Sequence, residues 1–219
     1  MILYFSKEIV KMIIDSTTYK LSENNFIVEG TSKNRIIIGS TYCIGMKHYN
    51  GWVHRYNGKY KKTAMFTVAL NGKIYEHFSP NYYSEYMMDK KLNEDSITIL
   101  LENEGWLIKD LLNENQYINY IGNIYNREDS VVEKSWRNQK FWAPFTSKQI
   151  KSTIELTKKL CENFQIPIEA ISHNTNFDEA YDFNGILYKS NFKKYYTDIS
   201  PAWDCELFKN KLEKKDKKK

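Results

Sequence analysis

The run Arg35-Ile-Ile-Ile-Gly-Ser-Thr41 constrains this chain more than any other stretch. β-branched residues favour extended backbone, and three in succession leave the strand no polar face. Such a strand belongs inside a sheet covered on both sides, which calls for helices above and below it. One helix is announced by Thr146-Ser-Lys-Gln149, a capping box. Ile150, Ile154, Leu160, Cys161 and Phe164 then trace its apolar face until Pro167 approaches. Further strands are read at Asn25–Glu29, Met65–Leu70, Lys73–His77 and Ser96–Glu102. Asn71-Gly72 joins the middle two, and that dipeptide predicts a two-residue type I′ hairpin. Ile9, Met12 and Ile13 predict a short amphipathic helix at the start. The expected fold class is α/β, a central mixed β-sheet flanked by helices.

With 219 residues, 42% of them hydrophobic and 15% aromatic, the chain can fill one sizeable core. Residues 1–212 are read as a single domain, 106–145 as an insertion into it with a polar hairpin around Tyr117–Tyr125, and 213–219 as a Lys-rich tail. Seven lysines after position 208, against Glu213 and Asp216, account for the whole net charge of +5. The basicity is thus confined to one end, and no nucleic acid partner is expected. No apolar run reaches membrane-spanning length, and the first residues lack the pattern of a signal peptide, so a cytoplasmic site of synthesis is expected. Cys43, Cys161 and Cys205 show no paired spacing and suit a reducing compartment.

Chemistry is concentrated near the C-terminus. Tyr196-Thr-Asp-Ile-Ser-Pro-Ala-Trp-Asp204 reads as a loop delivering Asp198 ahead of a helix, with Ser200 as cap and Pro201 in the first turn. Trp203, Leu207, Phe208 and Leu212 recur at helical spacing. Upstream, Ile171-Ser-His173 reads as a strand end carrying an imidazole. One nitrogen and one oxygen donor suit zinc but do not complete a site, and the other reading is a core histidine with a capping aspartate. Trp52, Tyr82, Tyr83 and Tyr86 are either a sugar- or peptide-binding surface or ordinary core and rim. Glu102 and Glu104 offer the paired carboxylates a glycosidase would need, and equally a solvated pair.

The order of these segments resembles that of the zinc-dependent N-acetylmuramoyl-L-alanine amidases of the phage-lysozyme and peptidoglycan-recognition type. The segments are Ile36-Ile-Ile-Gly-Ser-Thr41, the hairpin at Asn71-Gly72, Ser96-Ile-Thr-Ile-Leu-Leu-Glu-Asn103, the capped helix, Ile171-Ser-His173 and Thr197–Asp204. The family's last motif is Lys-Thr-Asp-Pro-Gly-Pro-Ala-Phe-Asp, which Thr197, Asp198, Pro201, Ala202 and Asp204 match. The resemblance implies hydrolysis of the amide between N-acetylmuramic acid and L-alanine, with peptidoglycan stem peptide and glycan as partners. It implies zinc, with His173 as second histidine and Asp198 as third ligand, and an oxyanion donor at Tyr196. The first histidine falls on Gly39, so the ligand set is one short, and a family glutamate falls on Leu100. His77, His48 or His54 would have to fill the gap. The alternative implied by these departures is an inactive peptidoglycan-binding or phage structural protein, and either role would suit a phage lysis protein or virion component.

Overall fold

The isoleucine strand occupies the position its composition demands. In the computed structural model, which describes residues 12–87, 89–113, 115–127, 129–175 and 177–214, β2 (Arg35–Ser40) is buried along its whole length. With β1 (Ile14–Asp15), β3 (Phe66–Val68), β4 (Ile74–Glu76), β5 (Ser96–Leu101) and β10 (Gly185–Tyr188) it forms a six-stranded sheet ordered β1-β4-β3-β5-β2-β10. β3 and β4 are antiparallel and the other neighbours parallel, so the sheet is mixed. The expected α/β architecture is therefore present.

Alternation along β2 sorts its isoleucines between two cores. Ile36 and Ile38 join Leu156, Leu160, Phe208 and Leu212, contributed by α3 (Ser147–Phe164) and α5 (Cys205–Glu213). Ile37 faces the other way, with Leu187, Met87, Leu92 and Ala180. Leu92 and Ala180 come from the short helices α2 (Lys90–Glu94) and α4 (Phe177–Tyr181). At the start of β2 the Arg35 guanidinium is buried, paired with Asp95 at 3.2 Å and donating to the Tyr181 carbonyl at 2.6 Å. These bonds replace the water the guanidinium loses and fix the approach to the strand.

The capping box before α3 forms in both halves: Thr146 Oγ1 accepts from Gln149 N, and the Gln149 side chain accepts from Thr146 N. Thr146 also donates to the Leu70 carbonyl at 2.6 Å, which ties the helix start to the β3–β4 loop. Thr146→Ala is expected to cost about 1 kcal/mol, and Thr146→Ser to restore most of it, read as the shift in denaturation midpoint.

Several local expectations are corrected. The β3–β4 connection is a three-residue loop: Ala69 and Lys73 still pair, and Gly72 N bonds back to Ala69 O. Gly72 has φ of +84° and Asn71 is not left-handed, so this is a type I turn closed by a glycine bulge. A Cβ on Gly72 would lie 3.0 Å from Lys148 O, so packing on α3 joins the backbone conformation in requiring glycine there. Ile14 is extended and pairs with Ile74 in β4, where a starting helix was expected; Ile9 lies outside the described residues. Glu23–Asn25 make a 3-10 turn, and of the Asn25–Glu29 strand a single bridge from Ile27 to Tyr83 remains. The last helix is capped by Asp204, which accepts from Leu207 N at 2.8 Å, while Ser200 and Pro201 lie in the preceding turn. That later start turns Leu207 outward, with 41% of its surface exposed. Of the Lys-rich tail, residues 215–219 lie outside the described residues.

Residues 106–142 build a second, antiparallel sheet, ordered β7-β6-β9-β8, from β6 (Trp106–Lys109), β7 (Tyr117–Asn119), β8 (Val132–Trp136) and β9 (Gln139–Trp142). It has its own small core of Leu107, Tyr125, Phe141 and Ala143. Arg137 and Asn138 both have positive φ at the β8–β9 turn, and the Arg137 guanidinium lies over the Trp136 ring while reaching the Ser190 carbonyl.

Candidate functional site

The candidate site, at the family's groove position, lies where β2, β5 and β10 end side by side. Parallel pairing sets Gly39 level with Leu100, and Tyr188 opposite Ile38, so Lys189 leaves β10 beside Gly39. Asp198 is brought to the same place from the loop after β10. Its Oδ1 accepts from Ser40 N at 3.0 Å and lies 3.3 Å from Ser40 Oγ. The carboxylate is only 3% exposed and does not cap the last helix.

Gly39 leaves a notch in this floor, and the notch is filled. A Cβ placed on Gly39 would meet the Tyr86 hydroxyl at 2.7 Å, Leu100 Cδ2 at 3.1 Å and Asp198 Oδ1 at 3.7 Å. The Tyr86 hydroxyl is buried and has no hydrogen-bond partner among the described residues. Burial pushes its pKa up to about 12, so it is protonated at neutral pH. The Lys189 ammonium sits over the Tyr86 ring, 4.3 Å from its centroid, and 5.1 Å from that of Tyr196. Burial works against that charge, yet Tyr86 and Asp198 hold the Lys189 pKa above the ordinary lysine value.

The loop carrying Lys189 and Asp198 is held from outside. Arg137 donates to the Ser190 carbonyl at 2.8 Å, the Lys193 carbonyl at 2.7 Å and the Tyr196 carbonyl. Tyr42 OH is hydrogen-bonded to Thr197 Oγ1, and burial followed by the Asp198 charge raises the Tyr42 pKa far above the usual phenol range.

His173 has different partners. Its segment bridges the outer edge of β10 through Ala170 and Ile186, so β10 lies between it and Gly39. Its Nδ1 is 3.0 Å from Cys205 Sγ and its ring stands edge-on to Trp136. Burial first, then Lys134 and Arg137, lower its pKa to about 4, while burial raises that of Cys205. The pair is thus a neutral imidazole and a thiol, not an activated thiolate.

The remaining candidates are engaged elsewhere. His77 Nδ1 faces the Tyr19 carbonyl at 2.7 Å and so carries the proton, which leaves Nε2 to accept from Thr67 Oγ1 at 2.8 Å. Thr67 in turn accepts from His48 Nε2 at 3.0 Å. Burial lowers both histidines, His48 to about 3 and His77 to about 4. His54 is exposed. Glu102 accepts from Met46 N at 2.7 Å and Leu70 N at 3.3 Å, and Glu104 from Asn119 Nδ2 at 3.1 Å. Trp52 is a core residue, Tyr82 stacks on Phe26 and Tyr83 bridges Ile27 with its hydroxyl on Glu29, so of the four aromatic candidates Tyr86 borders the site.

A catalytic zinc needs three converging donors and an open position. Gly39 supplies none, Asp198 Oδ1 is taken by Ser40, and His173 sits across β10 with Nδ1 on Cys205, so the donors do not converge. Among the described residues no three His, Cys, Asp or Glu side chains converge as a metal-holding group. The residues present do not fit zinc. Lys189 is not singled out by the sequence: it follows the Ile186-Leu187-Tyr188 run, and only the pairing of that run with the isoleucine strand places it beside Gly39.

Comparison with known proteins fits this framework. The chain spans nearly all of several solved structures. N-acetylmuramoyl-L-alanine amidase LysC from Clostridium intestinale URNW is 15% identical, with 91% of this chain and 97% of that one covered at a TM-score of 0.50. A mutant endolysin from Bacillus subtilis is 14% identical, with 92% and 99% covered at 0.52. A mutant of PlyL is 10% identical, with 92% and 98% covered at 0.53. At these identities the likeness is one of fold. No curated protein matches the chain in sequence. The profile of N-acetylmuramoyl-L-alanine amidase, however, matches residues 30–182, from the approach to β2 through α4. By that match, which covers most of its length, the chain belongs to the N-acetylmuramoyl-L-alanine amidase family.

Proposed function

We propose that the chain is directed to peptidoglycan and engages, in this groove, the amide joining N-acetylmuramic acid to L-alanine, the bond its family hydrolyses. The observation that carries this reading is the meeting of Asp198 with Ser40, 158 residues apart, at the end of the strand that opens the family's fold. Tyr196, with its ring beside Lys189, is assigned the hydroxyl that donates to the substrate carbonyl oxygen. Of the two residues that resemblance allots to zinc, Asp198 is assigned to the groove floor, and His173 has a place there only by leaving Cys205. The endolysin structures among the fold relatives support a role in wall lysis, and no helix among the described residues is long and apolar enough to cross a membrane.

A second reading, engagement without cleavage, is favoured by the incomplete donor set and by Leu100 at the glutamate position. Purified cell walls separate the two. Hydrolysis adds water across the amide, leaving a carboxylate on the muramic acid side and a free amino group on L-alanine. Co-sedimentation with walls together with stem peptides bearing a new N-terminal alanine, read by mass spectrometry, supports hydrolysis. Co-sedimentation without release supports the second reading. Absence of co-sedimentation overturns both.

A further inference from the structure

We infer that the Lys189 ammonium is the resident cation of the groove, taking the charge role that zinc has in the family and making this site independent of metal. Three observations converge on it. First, Lys189 leaves β10 level with Gly39, where the sheet opens into the groove. Second, Asp198, the acid of the terminal motif, lies 3.7 Å from the Cβ position of Gly39 and within electrostatic reach of Lys189. The carboxylate is held by Ser40, and the cations within electrostatic range of it, Lys189 and Arg137, are carried by the chain itself, Lys189 on the side of Gly39. Third, the space a ligand side chain at position 39 would need holds the Tyr86 hydroxyl, and the Tyr86 ring carries the same ammonium on its face. Loss of the donor at Gly39, the filling of its notch by Tyr86 and the placing of a cation above them form one consistent replacement.

This inference rests on the family and the groove geometry, not on whether peptidoglycan is cleaved, so its test uses zinc alone. Wild-type protein freed of metal by chelation is titrated with zinc by calorimetry and melted with and without it. No site-specific heat and no zinc-dependent rise in melting temperature are expected. Stoichiometric zinc binding that is abolished by Asp198→Asn would overturn the inference outright, without any variant of Lys189. Lys189→Met is expected to lower the melting temperature by about 2–4 °C, because it removes the ammonium from the face of the Tyr86 ring and from the neighbourhood of Asp198. An unchanged or raised melting temperature in that variant would also overturn it. The converse construction is a triple change, Gly39→His with Tyr86→Phe and Lys189→His, which clears the notch and replaces the ammonium by a donor. At zinc about a hundredfold above its Kd this variant should melt about 5–10 °C higher with metal than without. Gly39→His alone should gain nothing, since Tyr86 and Lys189 still hold the place. A zinc response from that single variant equal to the triple's would show that Lys189 does not stand in the metal position.

Discussion

Between pH 7 and pH 5 the protein is expected to lose on the order of 3–4 kcal/mol of folding stability through two buried histidines. His48 and His77 are joined through Thr67, and each ring is neutral because burial disfavours its charged form. Their folded pKa values, about 3 and about 4, lie below the ordinary 6.5. The sign follows: as pH falls below 6.5 the unfolded chain takes up protons that the folded chain refuses, so their stabilising contribution is complete above 6.5 and shrinks toward 4. Each histidine contributes a slope of about 1.4 kcal/mol per pH unit in that window. Protonation would also break the chain itself, since His77 Nε2 must stay bare to accept from Thr67. Urea denaturation midpoints at half-unit steps from pH 7.5 to 5 measure the slope. His173, lowered to about 4 as well, adds a similar slope, so His48→Gln, whose amide can still donate to Thr67, should remove about a third of the total. A midpoint that stays flat over the range would show that the histidines titrate in the folded state.

The second large effect is expected from Thr67→Val, which keeps the shape of the side chain and deletes the hydroxyl between the rings. His48 then loses the acceptor for its Nε2 proton and His77 the donor to its Nε2, in a site where His77 has no exposed surface. Leaving a buried polar group unpaired costs about 1–3 kcal/mol, so the variant should lose about 2–5 kcal/mol in chemical denaturation. Thr67→Ser retains the hydroxyl and should recover most of it. A valine variant as stable as the parent would mean that water or a rotated ring satisfies both nitrogens. Acid denaturation and this substitution probe one network from two sides.

The sheet was legible because its strands advertise burial. Ile36–Ile38 and Ile97–Ile99 gain from being covered on both faces, and nothing in their surroundings competes. The long helix was legible because Thr146 and Gln149 act locally and satisfy the backbone wherever the helix goes. Termini and turns were less so. Whether Ser200 or Asp204 caps the last helix depends on where the loop is pinned, and that is decided by Tyr42 and Arg137, distant in sequence. At the site, Asp198 stood out through its motif and the bare Gly39 through its absence of a side chain. Lys189 did not, because a lysine in a chain with many exposed lysines carries no local mark of burial. It takes the pairing of β10 with β2 to bring it into the groove. His173 looked like the partner of Asp198 because it ends an apolar run, but that run meets the sheet at its outer edge as a single bridge.

The hold of Arg137 on the Ser190, Lys193 and Tyr196 carbonyls has a consequence for how such grooves diversify. The hairpin between β8 and β9 and the segment from Lys189 to Asp198 are clasped as if they were one cassette, although about fifty residues separate them in the chain. A hairpin grafted from a relative without this arginine would release the segment, and a segment grafted alone would find no clasp. The two stretches are therefore expected to be exchangeable only as a pair, since either one moved alone loses the contacts that hold its shape.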